Sequence, residues 1–391
     1  IKYNSKKSSW TPIKIKFMSL VINEEQNMLK SSAKELLDLK SPISLMRELR
    51  DDNYNQFDPD LWKEMVEMGW TALTVPEEYN GLNFGYVGLG QVIEEMGKKL
   101  TVSPMISTVL ISTTIVGLSK NEVLKSKLFD EIMSGKKLCT LAHEESSHHN
   151  PNIDLSIISN NNEKFILNGK KRFVIDGTIS DYLIVSANSE SNGSLELVII
   201  DSKSKGITFN NKVHMDSKIY SDISFNNVEF SKDNFLSTEN DGKKILKKAL
   251  DIACVGLAAE MLGNIQQAFD MTIQYLKERE QFGVKIGSFQ ALQHRSAIMF
   301  GEIELCKSIV LKALQAIDSG DENLPELASL AKSKLGLTSK LVTNEAVQMH
   351  GGIGVTDDAD IGFFLKRVRV SQRIFGDSNY HLDRVAKFNS Y

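Results

Sequence analysis

The chain has 391 residues, 46 Lys and Arg against 50 Asp and Glu, a formal charge of −4 and an apolar fraction of 41%. That length holds two or three domains with buried cores, and the near balance of charge provides no field to attract nucleic acid or an anionic membrane. Cys139, Cys254 and Cys306 are widely spaced, without CxxC or Cys/His metal spacing, so neither a disulfide scaffold nor a bound metal is expected.

Residues 1–17 carry Lys2, Lys6, Lys7, Lys14 and Lys16, no Arg and no following apolar segment. A mitochondrial presequence would be Arg-rich and amphipathic. This piece reads as a leader outside the fold, with Met18 the expected start and the cytoplasm, rather than the mitochondrial matrix, the expected location. No run approaches the roughly 18 to 20 apolar residues that a membrane span needs.

Over residues 18–135, "EEQNMLKSSAKELLDL", "LWKEMVEMGW", "GLGQVIEEMGKKL" and "MISTVLISTTIVGL" place apolar residues at spacings of three and four, which predicts helices. Val75 to Gly81 is a turn-rich break between them. Over residues 136–238 the period changes to two in "EKFILNGKKRFVIDG", "DYLIVSA", "LELVIID" and "SDISFNNVEF", which predicts strands. Helical spacing returns over residues 239–391 in segments longer than usual, which suggests a bundle. The expected fold is mostly helical α+β: an N-terminal helical domain, a middle antiparallel β-barrel or sandwich and a C-terminal four-helix bundle.

Residues 279 to 294 read "REQFGVKIGSFQALQH". Arg279 could hold pyrophosphate oxygens through bidentate bonds, Phe282 could cover an adenosine, and Gly283 and Gly287 would admit close backbone approach. Each residue alone is equally explained by a helix C-terminus with a basic side chain and a glycine cap. As an ordered set, Arg279, Phe282, Gly283, Ile286, Phe289, Gln290 and His294 resemble the signature of the acyl-CoA dehydrogenase family. The resemblance extends over residues 19–391 through "GW..L.VPEEYNG", "EEMG", "NGKKRFVIDG" and "QMHGGIG".

The resemblance implies FAD as the cofactor, with the segment containing Arg279, Phe282, Ile286, Phe289 and Gln290 binding the adenine-side half of a flavin held by a neighbouring subunit. It implies that Gln348, Gly351 and Gly352 serve a partner's ribityl or diphosphate region, so that the active protein is a dimer or tetramer, possibly a hetero-oligomer. By the same resemblance Phe173, Val174 and Ile175 lie against the isoalloxazine, with Ile175 where threonine is usual. Ala142 and His143 fall in the other flavin loop, where the family commonly has Leu-Thr-Glu-Pro. His143 is either a flavin or substrate contact or a surface histidine, while His148 and His149 suit solvent. Ser378 also counts among the implied cofactor contacts. The implied reaction is α,β-dehydrogenation of an acyl-CoA, with electrons passed to an electron-transfer flavoprotein.

The base for this reaction is missing from both of its expected places. Gly376 stands in the glutamate slot of the C-terminal motif, and Ala253 in the alternative slot on the long helix. Two carboxylates are nearby. Glu260 lies two turns beyond Ala253 on one helical face within "IACVGLAAEMLG", and its burial calls for catalysis or for an ion pair with Arg295 or His294. Asp377 is one residue past the empty slot, in good turn chemistry. The "FGD" followed by His381 resembles a bacterial branch acting on sterols and side chains, some members of which pair with a chain that lacks the base. Three functions stay open: a dehydrogenase, a non-catalytic or half-site subunit, and another flavin oxidase or monooxygenase.

Overall fold

The structure, a computed structural model, describes residues 20–154, 156–161, 164–238 and 241–391; the leader and Met18 lie outside the described residues. The N-terminal part holds α1 (Glu24–Lys40), α2 (Ile43–Asp51), α3 (Pro59–Glu67), α4 (Tyr86–Lys99), α5 (Thr113–Leu118) and α6 (Glu122–Met133). Asn23 opens α1 with a capping box, its side chain accepting from the Gln26 N–H while Gln26 reaches back. Residues Met105–Ser112, expected as ordinary helix, form a π-helical stretch instead. The hydroxyls of Ser112 and Thr113 donate to the carbonyls of Ser107 and Thr108, five residues back, which favours the wider turn.

The middle part holds β1 (Cys139–Ala142), β2 (Ile157–Asn161), β3 (Lys164–Ile175), β4 (Tyr182–Ser189), β5 (Leu195–Asp201), β6 (Ile207–Val213) and β7 (Ile219–Phe230). The order is β1-β4-β2-β3-β7-β6, with β5 paired to β4. Because β4 runs parallel to β1 and to β2, the sheet is mixed rather than antiparallel. Alternating burial selects a face and carries no information on strand direction.

The C-terminal part holds α7 (Gly242–Glu278), the short hairpin strands β8 (Glu280–Gln281) and β9 (Val284–Lys285), α8 (Gln290–Ser319), α9 (Leu324–His350), α10 (Ile361–Ser371) and α11 (Ser378–Phe388). The C-terminal domain is helical as expected, with three long helices and two short ones. From Ala249 to Ile265 every residue of α7 is buried. It crosses α4 in backbone contact: a Cβ on Gly97 would stand 2.3 Å from the Glu260 carbonyl oxygen, and one on Gly263 1.9 Å from that of Glu94. Only glycine admits so close a crossing.

One buried cation ties the parts together. Arg367 on α10 places Nη1 3.2 Å from Glu260 on α7 and Nε 3.5 Å from Asp216 in the β6–β7 turn. Tyr220 on β7 donates to the same aspartate at 3.1 Å. Glu260 therefore has a partner for its buried charge, but it is Arg367; Arg295 pairs with Glu345, and His294 is exposed. Removing one member of such a cluster leaves the others buried and uncompensated. Arg367→Met is expected to destabilise the protein by about 3–5 kcal/mol, and adding Glu260→Gln to recover part of the loss. Thermal midpoints of the two variants measure this, and a midpoint for Arg367→Met equal to the wild type would refute it.

Candidate active site

A cavity of about 970 Å³ opens between the sheet and the α10–α11 turn, lined on one side by Leu141, His143, Phe173 and Ile175 and on the other by residues from Arg369 to Tyr380. Its floor is made by an irregularity in β3. The register with β7 slips between Lys171 and Val174, and Phe173 takes a left-handed φ of 54°. The Phe173 ring then stacks on Tyr220 at 4.2 Å and 14°, and its N–H donates to Asp222 at 3.2 Å. Val174 and Ala142 point away, into the β core. Of the expected strand and loop contacts, Phe173, Ile175 and His143 reach the cavity and Ala142 and Val174 do not, because neighbouring strand residues take opposite faces.

His143 is 1% exposed. Its Nδ1 lies 3.1 Å from Ser186 Oγ, and its Nε2 has no hydrogen-bond partner. Burial, with Lys171 second, holds this imidazole well below its ordinary titration range. A buried nitrogen left unpaired costs about 1–3 kcal/mol, which a ligand in the cavity would relieve. Lys171 fixes the loop by donating to the His143 carbonyl at 3.2 Å and pairing with Glu145 at 2.7 Å; burial brings its ammonium down to about 8.

His148 is exposed, as expected. His149 is not, and the solvent assignment is corrected for it: its side chain is 6% exposed, with Nδ1 2.5 Å from Glu144 Oε1 and the ring edge-on to Tyr380 at 4.8 Å. The ligand atoms of His143, Glu144 and His149 lie within 4.8 Å of one another. Glu144 five residues before His149 was the available signal, but no periodicity links two such positions in a loop.

The opposite wall is held by two buried bases. Lys332 on α9 donates to the carbonyls of Ser371 at 3.0 Å, Gln372 at 3.2 Å and Gly376 at 3.0 Å, and burial lowers its ammonium to about 8. His381 sets Nε2 3.1 Å from the Phe375 carbonyl and Nδ1 3.3 Å from Ser329 Oγ; burial, then Lys332, lowers it to about 3. Gly376 has φ 106°, and a Cβ there would fall 2.4 Å from Tyr380 Cδ1. Tyr380 thus fills the space into which a side chain at 376 would grow.

Of the two expected bases, Asp377 lines the cavity and Glu260 does not. Asp377 caps α11, its Oδ1 accepting from the Tyr380 N–H at 3.0 Å while Oδ2 lies 3.4 Å from Arg373. Ala253 is buried in the main core. Ser378 packs on α9, where a Cβ at Gly336 would stand 2.1 Å from its Oγ, so it too faces away from the cavity.

The remaining expected contacts form a second, separate surface. Arg279 caps the end of α7, and Phe282 and Gly283 occupy the β8–β9 turn with φ 54° and 79°, the two positive values that a type I′ turn requires. Phe282 is 92% exposed and edge-on to Phe289 at 6.3 Å; Ile286 and Gln290 follow in the turn into α8. Tyr275 stacks on His350 at 4.4 Å, which brings this hairpin to the end of α9, where Gln348, Gly351 and Gly352 are exposed. None of these residues lines the cavity.

Family models match almost end to end: acyl-CoA dehydrogenase N-terminal domain over residues 23–136, middle domain over 141–228 and C-terminal domain over 240–389. The chain belongs to the acyl-CoA dehydrogenase family. The 3-(aryl)acrylate reductase of Clostridium sporogenes is 29% identical over 328 residues, 82% of this chain and 87% of that protein. The acyl-CoA dehydrogenase IpdE2 of Mycolicibacterium smegmatis is 26% identical over 365 residues, 93% of this chain and 98% of that protein. Among solved structures, one described as the electron transferring flavoprotein of Acidaminococcus fermentans superposes with a TM-score of 0.89 at 28% identity, covering 95% of this chain and 99% of that one. The family typically binds FAD, and the aromatic floor at Phe173 and the unpartnered Nε2 of His143 suit a flavin ring in this acyl-CoA dehydrogenase family member.

His381 is held neutral with a folded value of about 3 against an ordinary 6.5. The unfolded chain therefore binds the additional proton, and stability is lost as pH falls through the window from about 6.5 toward 3. The thermal midpoint of the wild type is expected to drop between pH 6.5 and 4.5, and that of His381→Gln to drop less. Parallel curves for the two proteins would show that the histidine is not held neutral.

Proposed function

We propose that this chain is an FAD-dependent acyl-CoA dehydrogenase, forming an enoyl-CoA from an acyl-CoA thioester and passing electrons to an electron-transfer flavoprotein. The observation that carries this reading is the cavity between the Phe173–Tyr220 stack and the Lys332-held turn, in a chain of this family. A flavin held there supplies the hydride acceptor for Cβ of the thioester. Phe173, Ile175 and His143 hold the ring end. In the distant group, Arg279, Phe282, Ile286, Phe289 and Gln290 hold the adenine-side half belonging to a neighbouring copy, and Gln348, Gly351 and Gly352 its ribityl or diphosphate region.

The separation of these two surfaces supports an oligomeric active form. Phe282 in a left-handed conformation is unfavourable for a bulky residue, and its ring, 92% exposed, meets only the edge of Phe289 among the ring contacts of the described residues. Exposed Ile298, Phe300, Leu305, Leu337 and Val355 on the helical part add an apolar surface suited to another subunit. The flavoprotein named for the Acidaminococcus structure supports the electron acceptor, and the names of the two relatives support chemistry at an acyl Cα–Cβ bond in either direction.

A second reading, a half-site subunit that completes a partner's flavin site, is favoured by Gly376 and Ala253, where the usual carboxylates are absent. Anaerobic addition of acyl-CoA thioesters to the flavin-loaded chain is expected to bleach the flavin; bleaching only after a partner chain is added would favour the half-site reading. Phe282→Ala is expected to lose about 1.5–3 kcal/mol of apolar contact, weakening flavin retention roughly ten- to a hundredfold without changing the thermal midpoint of the flavin-free protein. Flavin content after gel filtration measures it, and unchanged retention would remove Phe282 from the cofactor site.

A further inference from the structure

We propose that His149, oriented by Glu144, takes the Cα proton of the thioester in place of the glutamate missing at Gly376. This rests on the reading of the chain as an acyl-CoA dehydrogenase. The carboxylates of the expected bases are already engaged, Glu260 by Arg367 outside the cavity and Asp377 as the cap of α11. The loop after β1 contributes a different pair to the same cavity.

The geometry of the pair selects the tautomer of the neutral ring. An ionised carboxylate only accepts hydrogen bonds, so in the neutral imidazole Nδ1 carries the hydrogen donated to Glu144 Oε1 across 2.5 Å, and Nε2 carries the lone pair. Among the described residues no hydrogen bond is made to His149 Nε2, and the ring lines the cavity. A carboxylate that orients a histidine in this way also stabilises the imidazolium that forms when the other nitrogen takes a proton.

The position of the pair matches the vacant slot. Tyr380 stands where a side chain at 376 would be, 2.4 Å from a Cβ there, and the His149 ring meets the edge of Tyr380 at 4.8 Å. The imidazole is therefore one ring away from the space that a side chain at 376 would take, and both rings line the cavity. Its loop is anchored to β3: Arg172 N–H donates to the Glu144 carbonyl at 2.7 Å, and Lys171 holds the His143 carbonyl at 3.2 Å. A base fixed within hydrogen-bond reach needs this kind of backbone restraint.

In the step, the Cα–H bond breaks, the proton passes to His149 Nε2, and the electron pair becomes the new Cα–Cβ π bond as hydride leaves Cβ for the oxidised flavin. Two electrons leave the thioester with the hydride, and one proton stays on the histidine for return to water. Without hydride transfer, the same group exchanges Cα hydrogen with solvent, which gives a readout separate from turnover.

The test uses the flavin-loaded protein with saturated acyl-CoA in deuterium oxide under anaerobic conditions. Deuterium in the recovered thioester is measured by mass spectrometry, and thioester binding by the change in the flavin spectrum. His149→Gln is expected to slow exchange at least about a hundredfold while retaining flavin and binding thioester. His149→Ala is expected to regain part of the exchange when imidazole is added, which a purely structural role would not allow. Glu144→Gln should slow exchange less than His149→Gln, and Asp377→Asn, which removes the rival carboxylate of the cavity, should slow it least. A native chain that binds and exchanges while His149→Gln does so equally overturns the assignment alone. A native chain whose flavin spectrum is unmoved by any thioester overturns the acyl-CoA reading and the base with it. Native exchange that is lost on chelation assigns His143, Glu144 and His149 to a metal ion and overturns the proposal too.

Discussion

The structure depends on charge buried where its parts meet. Arg367 is 3% exposed and joins α10, α7 and the β6–β7 turn through Glu260 and Asp216. A guanidinium in such a place is tolerated only with carboxylates on more than one side, so the relative placement of helices and sheet is set by where those carboxylates must stand. The arrangement reaches the cavity through Tyr220, which donates to Asp216 and carries the Phe173 ring on its face. The floor of the cavity is thus aligned by an ion cluster that does not itself line it.

A second buried cation shapes the opposite wall. Lys332 gathers three carbonyls from Ser371, Gln372 and Gly376, fixing the turn whose residue 376 carries no side chain. Gly376 with its positive φ and Tyr380 in the neighbouring space belong to one local solution: the ring occupies volume that a side chain would need. The loop after β1, pinned to β3 by Lys171 and Arg172, brings the His149 ring edge-on to Tyr380 beside that turn.

Much of the fold was legible because it rests on periodicity. The change from spacings of three and four to a spacing of two and back separated helical from β regions, and the ordered set around Arg279 and Gly351 pointed to a cofactor. Strand direction was not legible, since the parallel pairing of β4 with β1 and β2 leaves no mark on alternation. The π-helical stretch at Met105–Ser112 was hidden as well, because serine and threonine in an apolar run are compatible with either winding. At the site, the side chains of Ala142, Val174 and Ser378 turn away from the cavity for one reason: a motif names a segment, while the pleat or helix phase decides which of its side chains face a ligand.

By itself the sequence determined the fold class, the family and the absence of a carboxylate at Gly376 and Ala253, all of which are properties of residue identity and order. Tertiary structure alone decided what each polar group does. It gave Glu260 to Arg367 rather than to Arg295 or His294, made Asp377 a helix cap, and brought His149 out of an apparently solvated loop onto Glu144 beside Tyr380. The Arg367–Glu260 pair is a distance of about 3 Å between elements far apart in the chain, while the Glu144–His149 pair depends on the path of an irregular loop, and no periodic pattern encodes either.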